Sequence, residues 1–380
     1  MSQGSKQVYF PNLNGLRFVA AFLVLLNHIE WMKQTEGISN ISNFAFFSKG
    51  GDLGVSLFFV LSGFLITYLL LAEKKETGNI SIRNFYIRRI LRIWPLYYLT
   101  VILAFFVLPH FISIKGYELA LYDGSYFASL GLFAFLMANV SYTLLPLVPF
   151  ASQLWSVGVE EQFYLFWPYL NKKAGRNIFR ILVYIVLIIV GIKSLLNLAH
   201  ETHPDSKSLY LWAHFFTHFR IQCMAIGGMG AYLLIRQKKD ILDFLYRKDI
   251  QIIVLLLTLS GVCTSFGFGA LNTEILSILF ALIILNAASN SRNIFRLENR
   301  LFLFLGKISY GLYVYQILAI KLSLVLVAGF IGFEEVVKAN FIYYILSISI
   351  TILMAAASYF LMEAKFLTFK GRFSTVLSNR

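Results

Sequence analysis

Leu16-Arg-Phe-Val-Ala-Ala-Phe-Leu-Val-Leu-Leu-Asn-His28 is an apolar run that carries an arginine and a histidine eleven residues apart. Eleven steps of 100° return His28 to within about 20° of the face of Arg17, and a rise of ~1.5 Å per residue separates the two by roughly 16 Å along the axis. One stripe of an apolar helix therefore holds two ionisable groups, half a bilayer apart. Such groups in hydrocarbon cost at least a few kcal/mol each, so they usually face a protein interior or a watery cavity and work there. Arg17 has a second reading, as an anchor that snorkels to the membrane surface. His28, near the middle, is the stronger functional candidate.

The rest of the chain supports a membrane setting. Of its 380 residues 58% are hydrophobic, 17% aromatic and only 14% charged, too apolar for the surface of a soluble globule. The formal charge of +14 does not point to nucleic acid, because the basic residues fall in short clusters between apolar segments. The two cysteines, Cys223 and Cys263, both lie in apolar segments and support neither a disulfide framework nor a zinc cluster. No cleavable signal peptide precedes the first segment, since Asn12, Asn14 and Arg17 open it and no small-residue cleavage site follows.

Reading for stretches of about 20 apolar residues predicts ten transmembrane helices, near 14–32, 54–72, 92–112, 154–170, 178–199, 216–235, 250–268, 272–289, 303–328 and 339–362. The expected fold is thus an all-α polytopic bundle forming one membrane-embedded domain over 1–380. With the N-terminus cytoplasmic, 25 of the 33 Lys and Arg fall on the inner side, including a short basic tail at 365–380. Both termini are then cytoplasmic and the protein is multi-pass in the plasma (inner) membrane. An extra apolar stretch, Phe127-Ala-Ser-Leu-Gly-Leu-Phe-Ala-Phe-Leu-Met-Ala-Asn-Val140, is short for a crossing and reads as a re-entrant or surface-lying segment on the outer side. No strong internal repeat of the transporter kind is present.

Four motifs carry chemistry. In Phe85-Tyr-Ile-Arg-Arg-Ile-Leu-Arg-Ile-Trp-Pro95, Arg88 and Arg92 share a helical face with Arg89 beside them. Three guanidinium groups at the inner surface suit phosphate, which arginine binds bidentately; plain topology charge or contact with anionic lipid is the alternative. Gly54-Val-Ser-Leu-Phe-Phe-Val-Leu-Ser-Gly-Phe-Leu-Ile-Thr67 is a helix with small residues along its length, so Ser62 and Gly63 read first as packing positions, and Asp52 as a cap. In Leu154-Trp-Ser-Val-Gly-Val-Glu-Glu-Gln-Phe-Tyr164 the two carboxylates diverge by ~100°, and Glu160 is the one expected to turn inward, paired with His28 or an arginine. In Gly306-Lys-Ile-Ser-Tyr-Gly-Leu-Tyr-Val-Tyr-Gln316, Ser309, Tyr310 and Tyr313 are candidates to line a cavity, as are Ser62, Tyr164 and Arg220. His200, His203, His214 and His218 resemble metal spacing only superficially, with no suitably spaced acids or thiols, and no metal is expected.

Taken in order, these motifs, with Leu13-Asn-Gly-Leu-Arg17 and ten residues to His28, resemble the acyltransferase-3 family of bacterial integral-membrane acyltransferases. Phe219-Arg-Ile-Gln-Cys-Met-Ala-Ile-Gly-Gly228 and Lys307-Ile-Ser-Tyr-Gly-Leu-Tyr313 look like its later, weaker signatures. Gln316 stands where many relatives carry a histidine and Gln222 where many carry an acid. The chain resembles the stand-alone kind, without an appended hydrolase-like domain.

The resemblance implies O-acylation of a cell-surface glycan or its lipid-linked precursor. The donor would be cytoplasmic acyl-CoA, usually acetyl-CoA, with no permanently bound cofactor. On that reading Arg88, Arg89 and Arg92 hold the phosphates of coenzyme A and Arg17 meets its pantetheine or acyl end. His28 takes the proton of the acceptor hydroxyl, and Glu160 orients the imidazole. An acyl-histidine intermediate is a second route. The partners expected are acyl-CoA, a glycan acceptor and membrane lipids, and no nucleic acid. The competing class is a non-enzymatic carrier or transporter of a phosphate-bearing lipid-linked glycan, using the same arginines.

Overall fold

The structure, a computed structural model, describes residues 6–112, 123–263, 271–330, 336–373 and 376–378. The long helices are α1 (Leu13–Thr35), α2 (Ala45–Thr77), α3 (Ile82–Ile102), α6 (Trp155–Ala174), α7 (Ile178–Thr202), α9 (Ile221–Ile235), α11 (Lys248–Cys263), α12 (Asn272–Ser289), α14 (Ser309–Phe330) and α15 (Val336–Ser358). Between them lie the shorter α4 (Gly124–Ala134), α5 (Ala138–Leu144), α8 (Lys207–His218), α10 (Lys239–Leu245) and α13 (Arg300–Lys307), and α16 (Ala364–Lys370) follows α15. The protein is a polytopic helical membrane bundle, as the apolar runs predict.

Among the described residues seven helices are long and apolar enough to cross a bilayer. They cover the expected spans near 14–32, 54–72, 92–112, 178–199, 272–289, 303–328 and 339–362. The other three expected spans coincide with α6, which carries Glu160, Glu161, Lys172 and Lys173, with the 15-residue α9 and with the 16-residue α11. Residues 264–268 of the expected 250–268 span lie outside the described residues. β1 (Lys6–Val8) pairs in parallel with β2 (Val376–Ser378), which brings these two segments from opposite ends of the sequence together.

The helix ends follow local chemistry. Ser81 caps α3 by accepting from the Asn84 amide at 3.4 Å, and Asp123 caps α4 by accepting from the Tyr126 amide at 2.8 Å. Asn12 does something different. It sits in the left-handed region at φ 63° and ties the start of α1 to distant chain, donating to Ala287 O (3.0 Å) and accepting from the Leu297 amide (2.7 Å). The apolar stretch at 127–140 breaks into α4 and α5, with Leu136 at φ 61° between them, so it is no single straight crossing helix.

Burial orders the bundle. In α2, 78% of the most apolar window is buried, whereas in α7 only 11% is, and Tyr184, Leu187, Ile188, Leu195 and Leu198 of α7 face outward. In a membrane those residues meet lipid. The central α2 packs against α1 and α9. Its contact with α9 is made through glycine on backbone: a Cβ on Gly63 would lie 1.9 Å from Met224 O, and one on Gly227 2.1 Å from Val60 O. Gly63 is thus a packing residue, as its small size predicts.

Candidate active site

Two cavities lie one above the other along the axis formed by α1, α2, α6 and α14. The first, about 110 Å³, is lined by Arg17 of α1, Ser62 of α2, Arg89 and Arg92 of α3, Glu160 and Tyr164 of α6, and Ser309 and Tyr310 of α14. The second, about 270 Å³, is lined by Asn27, His28 and Trp31 of α1, Asp52 of α2, Gln153 and Trp155 of the α6 segment, and by Tyr142 and His218. Arg17 and His28 thus lie on one stripe, as the eleven-residue spacing requires, but each serves a different chamber. Val55 and Tyr313 border both.

In the arginine cavity, Glu160 is the inward carboxylate. Its oxygens accept from Ser62 Oγ and Tyr164 Oη, both at 2.8 Å, while Glu161 turns away to Trp94 Nε1 at 3.4 Å. Ser62, which had both a packing and a cavity-lining reading, lines the cavity and binds the carboxylate. Glu160 makes no hydrogen bond to His28 among the described residues, because it turns toward the other chamber, on the arginine side of Tyr313. The ~100° divergence of Glu160 and Glu161 was legible in the sequence; which distant helix receives each was not.

The arginines also divide. Arg17 donates to Asn14 Oδ1 at 2.8 Å, which holds its head in the cavity wall and sets aside the pure snorkelling reading. Arg89 lies over the rings of Phe85 (5.9 Å) and Tyr164 (5.8 Å), and its buried Nε has no hydrogen-bond partner. Arg88 is not part of the cluster lining the cavity: it pairs with Glu73 at 3.1 Å and donates to Phe373 O at 2.6 Å. One residue step rotates a helix by 100°, so Arg89 faces the cavity while Arg88 pins the end of α2 to α3. The sequence did not single out Lys370 of α16, which stands close enough to Arg17, Arg89 and Arg92 to interact with them.

The histidine cavity has a different chemistry. His28 leaves its buried Nδ1 without a hydrogen-bond partner, edge-on to Trp31 at 6.2 Å, with Gln316 beside it. Asp52 is not a helix cap. It lies inside α2, its carboxylate 65% exposed to the cavity, and receives Arg220 Nη2 at 2.7 Å. Arg220 itself lies behind the cavity wall, where it also donates to Ser56 Oγ at 3.1 Å and Asp52 O at 3.0 Å. His214 and His218 do share a face, and they join Tyr142 and Trp155 in a pile of rings, with His214 and His218 centroids 4.4 Å apart and Trp155 5.1 Å from His218. Among the described residues no cluster of three metal-ligating side chains occurs. Tyr142, Gln153 and Trp155 were not singled out as site residues, and Asp52 was read only as a cap, because they come from separate segments with no shared spacing.

Tyr313 completes the site between the chambers. Its hydroxyl donates to Gln153 O at 2.7 Å and lies 2.8 Å from Ser156 Oγ. Tyr310 donates to Ile93 O at 3.1 Å, tying α14 to α3.

Comparison with known proteins follows this geometry. Residues 10–360 match the acyltransferase-3 profile, described as an acyltransferase domain. O-acetyltransferase OatA of Staphylococcus aureus (strain NCTC 8325) is 30% identical over 93% of this chain, which spans 57% of that relative. A second protein of Staphylococcus aureus (strain COL), named a putative O-acetyltransferase, is 27% identical over 95% of this chain and 58% of its own length. The chain therefore spans little more than half the length of these relatives. No solved structure matches. A bundle with a cation-lined chamber and a histidine-lined one, matched by this profile along nearly its whole length, belongs to the acyltransferase-3 family, which pairs an acyl donor with an acceptor.

Proposed function

We propose that this protein is a membrane O-acetyltransferase, moving an acetyl group from acetyl-CoA to a hydroxyl of a cell-surface glycan or its lipid-linked precursor. The observation that carries this reading is the stacking of the two chambers. One collects cations around a buried, unpartnered guanidinium N–H, and the other is bordered by the His28 imidazole. Anions are drawn to the first and proton transfer belongs to the second.

In this mechanism the arginine chamber faces the cytoplasm of a plasma-membrane protein whose termini both lie there, the side on which the basic loops fall. At about 110 Å³ the chamber is far below the ~300–1,000 Å³ of a pocket that encloses a drug-sized ligand, so it admits a chain end and leaves the nucleotide at its mouth. Arg17, Arg89 and Arg92 hold the phosphates and the pantetheine arm there, with Glu160 fixed by Ser62 and Tyr164 beneath them. The acceptor hydroxyl enters the histidine chamber. As its oxygen attacks the acetyl carbonyl, the new C–O bond forms, the C–S bond breaks, His28 takes the hydroxyl proton, and the proton passes on to the departing thiolate. A carrier of phosphate-bearing lipid would use the arginines equally well, but would leave His28 with nothing to do.

The test is transfer of labelled acetyl from acetyl-CoA to glycan by the purified protein in vesicles. His28→Ala is expected to lower transfer by about 10²–10⁴-fold, the usual contribution of a general base, while acetyl-CoA binding persists. Arg89→Gln with Arg92→Gln is expected to abolish that binding. Transfer that survives His28→Ala undiminished overturns the mechanism.

A further inference from the structure

We propose that Tyr313 is the movable partition between the two chambers, the point at which the thioester arm of the donor passes from one to the other. The inference rests on the acyl-transfer reading above and deepens it. Along α14, Tyr310 borders only the arginine cavity and Ile317 only the histidine cavity, with Tyr313 bordering both. Along α2, Ser62 borders the first, Asp52 the second and Val55 both. The four helices thus change chamber at one level, and Val55 and Tyr313 are the side chains standing there.

His28 borders only one chamber and the arginines only the other. An acyl group held among the arginines therefore reaches His28 only by passing this level. Val55 is β-branched and nearly fixed in its rotamer, so it cannot clear a path. Tyr313 can, by turning about χ1, because it is held by a latch and not by dense packing alone. Its hydroxyl donates to Gln153 O, which belongs to the wall of the histidine cavity, and accepts from Ser156 Oγ, which belongs to the wall of the arginine cavity. Its ring meets Phe58 edge-on at 5.9 Å. A closed partition keeps water from the thioester until an acceptor is in place, and keeps a membrane-spanning cavity from leaking.

The experiment reads accessibility and needs no substrate. In a Cys263→Ser background, Ser62→Cys reports on the arginine cavity and Ser48→Cys on the histidine cavity. A membrane-impermeant methanethiosulfonate reagent is applied from the side on which Ser48→Cys reacts. With Tyr313 present, Ser62→Cys is expected to stay protected; with Tyr313→Ala it is expected to react at least about tenfold faster, Ser48→Cys being unchanged. Tyr313→Phe and Ser156→Ala, which loosen the latch and keep the ring, give smaller increases and carry the same decision should Tyr313→Ala fail to accumulate. Equal reactivity of Ser62→Cys with and without Tyr313, or with and without its latch, overturns the proposal. Acceptor-independent hydrolysis of acetyl-CoA, measured on the matching proteins that keep Ser62, is expected to rise in Tyr313→Ala. Altered labelling with no acetyl-CoA turnover in any form leaves the partition standing and removes the acetyltransferase reading. Unaltered labelling with normal transfer does the reverse.

Discussion

At the scale of single residues, the pairing of Asp52 with Arg220 is the most informative contact. Arg220 is 4% exposed and receives its anion from a carboxylate that is 65% exposed to a cavity. The two members are therefore unequal. Removing Asp52 leaves a buried guanidinium whose remaining hydrogen-bond partners among the described residues are Ser56 Oγ and the carbonyls of residue 52 and Thr217, with the Trp155 ring beside it, whereas removing Arg220 leaves a carboxylate that water reaches. Asp52→Ala is accordingly expected to destabilise the protein more than Arg220→Met does. The double variant should recover part of the loss, with a coupling of about 0.5–3 kcal/mol toward the lower end because one partner is wet. Thermal unfolding of the four proteins in detergent checks this, and strict additivity would show that the pair has no energetic meaning.

At the scale of helices, the crossing of α2 over α9 decides where both chambers stand, because α2 contributes Asp52, Val55 and Ser62 in turn. Gly63 and Gly227 face the opposite backbone at distances that no Cβ tolerates. Gly63→Ala and Gly227→Ala are each expected to destabilise by about 1–3 kcal/mol, the usual range for overpacking, with a loss of folded yield. Gly191→Ala serves as the control, since it lies on α7 with no neighbour within 4 Å, and helix propensity should make it stabilising by about 0.5–1 kcal/mol. Melting curves that rank the three otherwise would argue against a backbone-limited crossing. The same crossing explains what sequence reading reached. Apolar runs of membrane length predicted ten spanning helices, of which seven meet the length and hydropathy of a span in the structure, and the 100° rule put Arg17 and His28 on one stripe, since both are properties of one segment. That Glu160 meets Ser62, or that Arg88 is taken by Glu73 while Arg89 is left for the cavity, depends on how helices cross. Residue spacing within one helix carries no such information.

At the scale of the molecule, the charges around the arginine chamber do not balance. Arg17, Arg89, Arg92 and Lys370 converge from α1, α3 and α16. Among the described residues the carboxylates near these four cations number three: Glu160, already accepting two hydroxyl hydrogens; Glu161, which receives Trp94 Nε1 and interacts with Arg89; and Glu363, which accepts from Ser358 Oγ at 3.0 Å and lies near Arg92. Cations brought together in a site of reduced dielectric repel one another, and the arrangement is relieved by a bound anion. The unfolded chain keeps these residues far apart, with hundreds of positions between Arg17 and Lys370, so it offers no equivalent site. An anionic ligand that bridges them must then stabilise the folded bundle by linkage, by ~2.7 kcal/mol at a concentration one hundred times its dissociation constant. Coenzyme A is expected to raise the melting temperature of the detergent-solubilised protein by several degrees, and pantetheine, which lacks the phosphates, by much less. Replacing Arg17, Arg89 and Arg92 with glutamine should remove the response to coenzyme A while raising the melting temperature of the unliganded protein, since the same substitutions relieve the repulsion. Arg88→Gln should leave the response to coenzyme A in place, because Arg88 spends its charge on Glu73, and should lower the unliganded melting temperature instead. If Arg88→Gln abolished the response as fully as the triple variant does, the division of the arginines into one structural and three ligand-facing groups would be wrong.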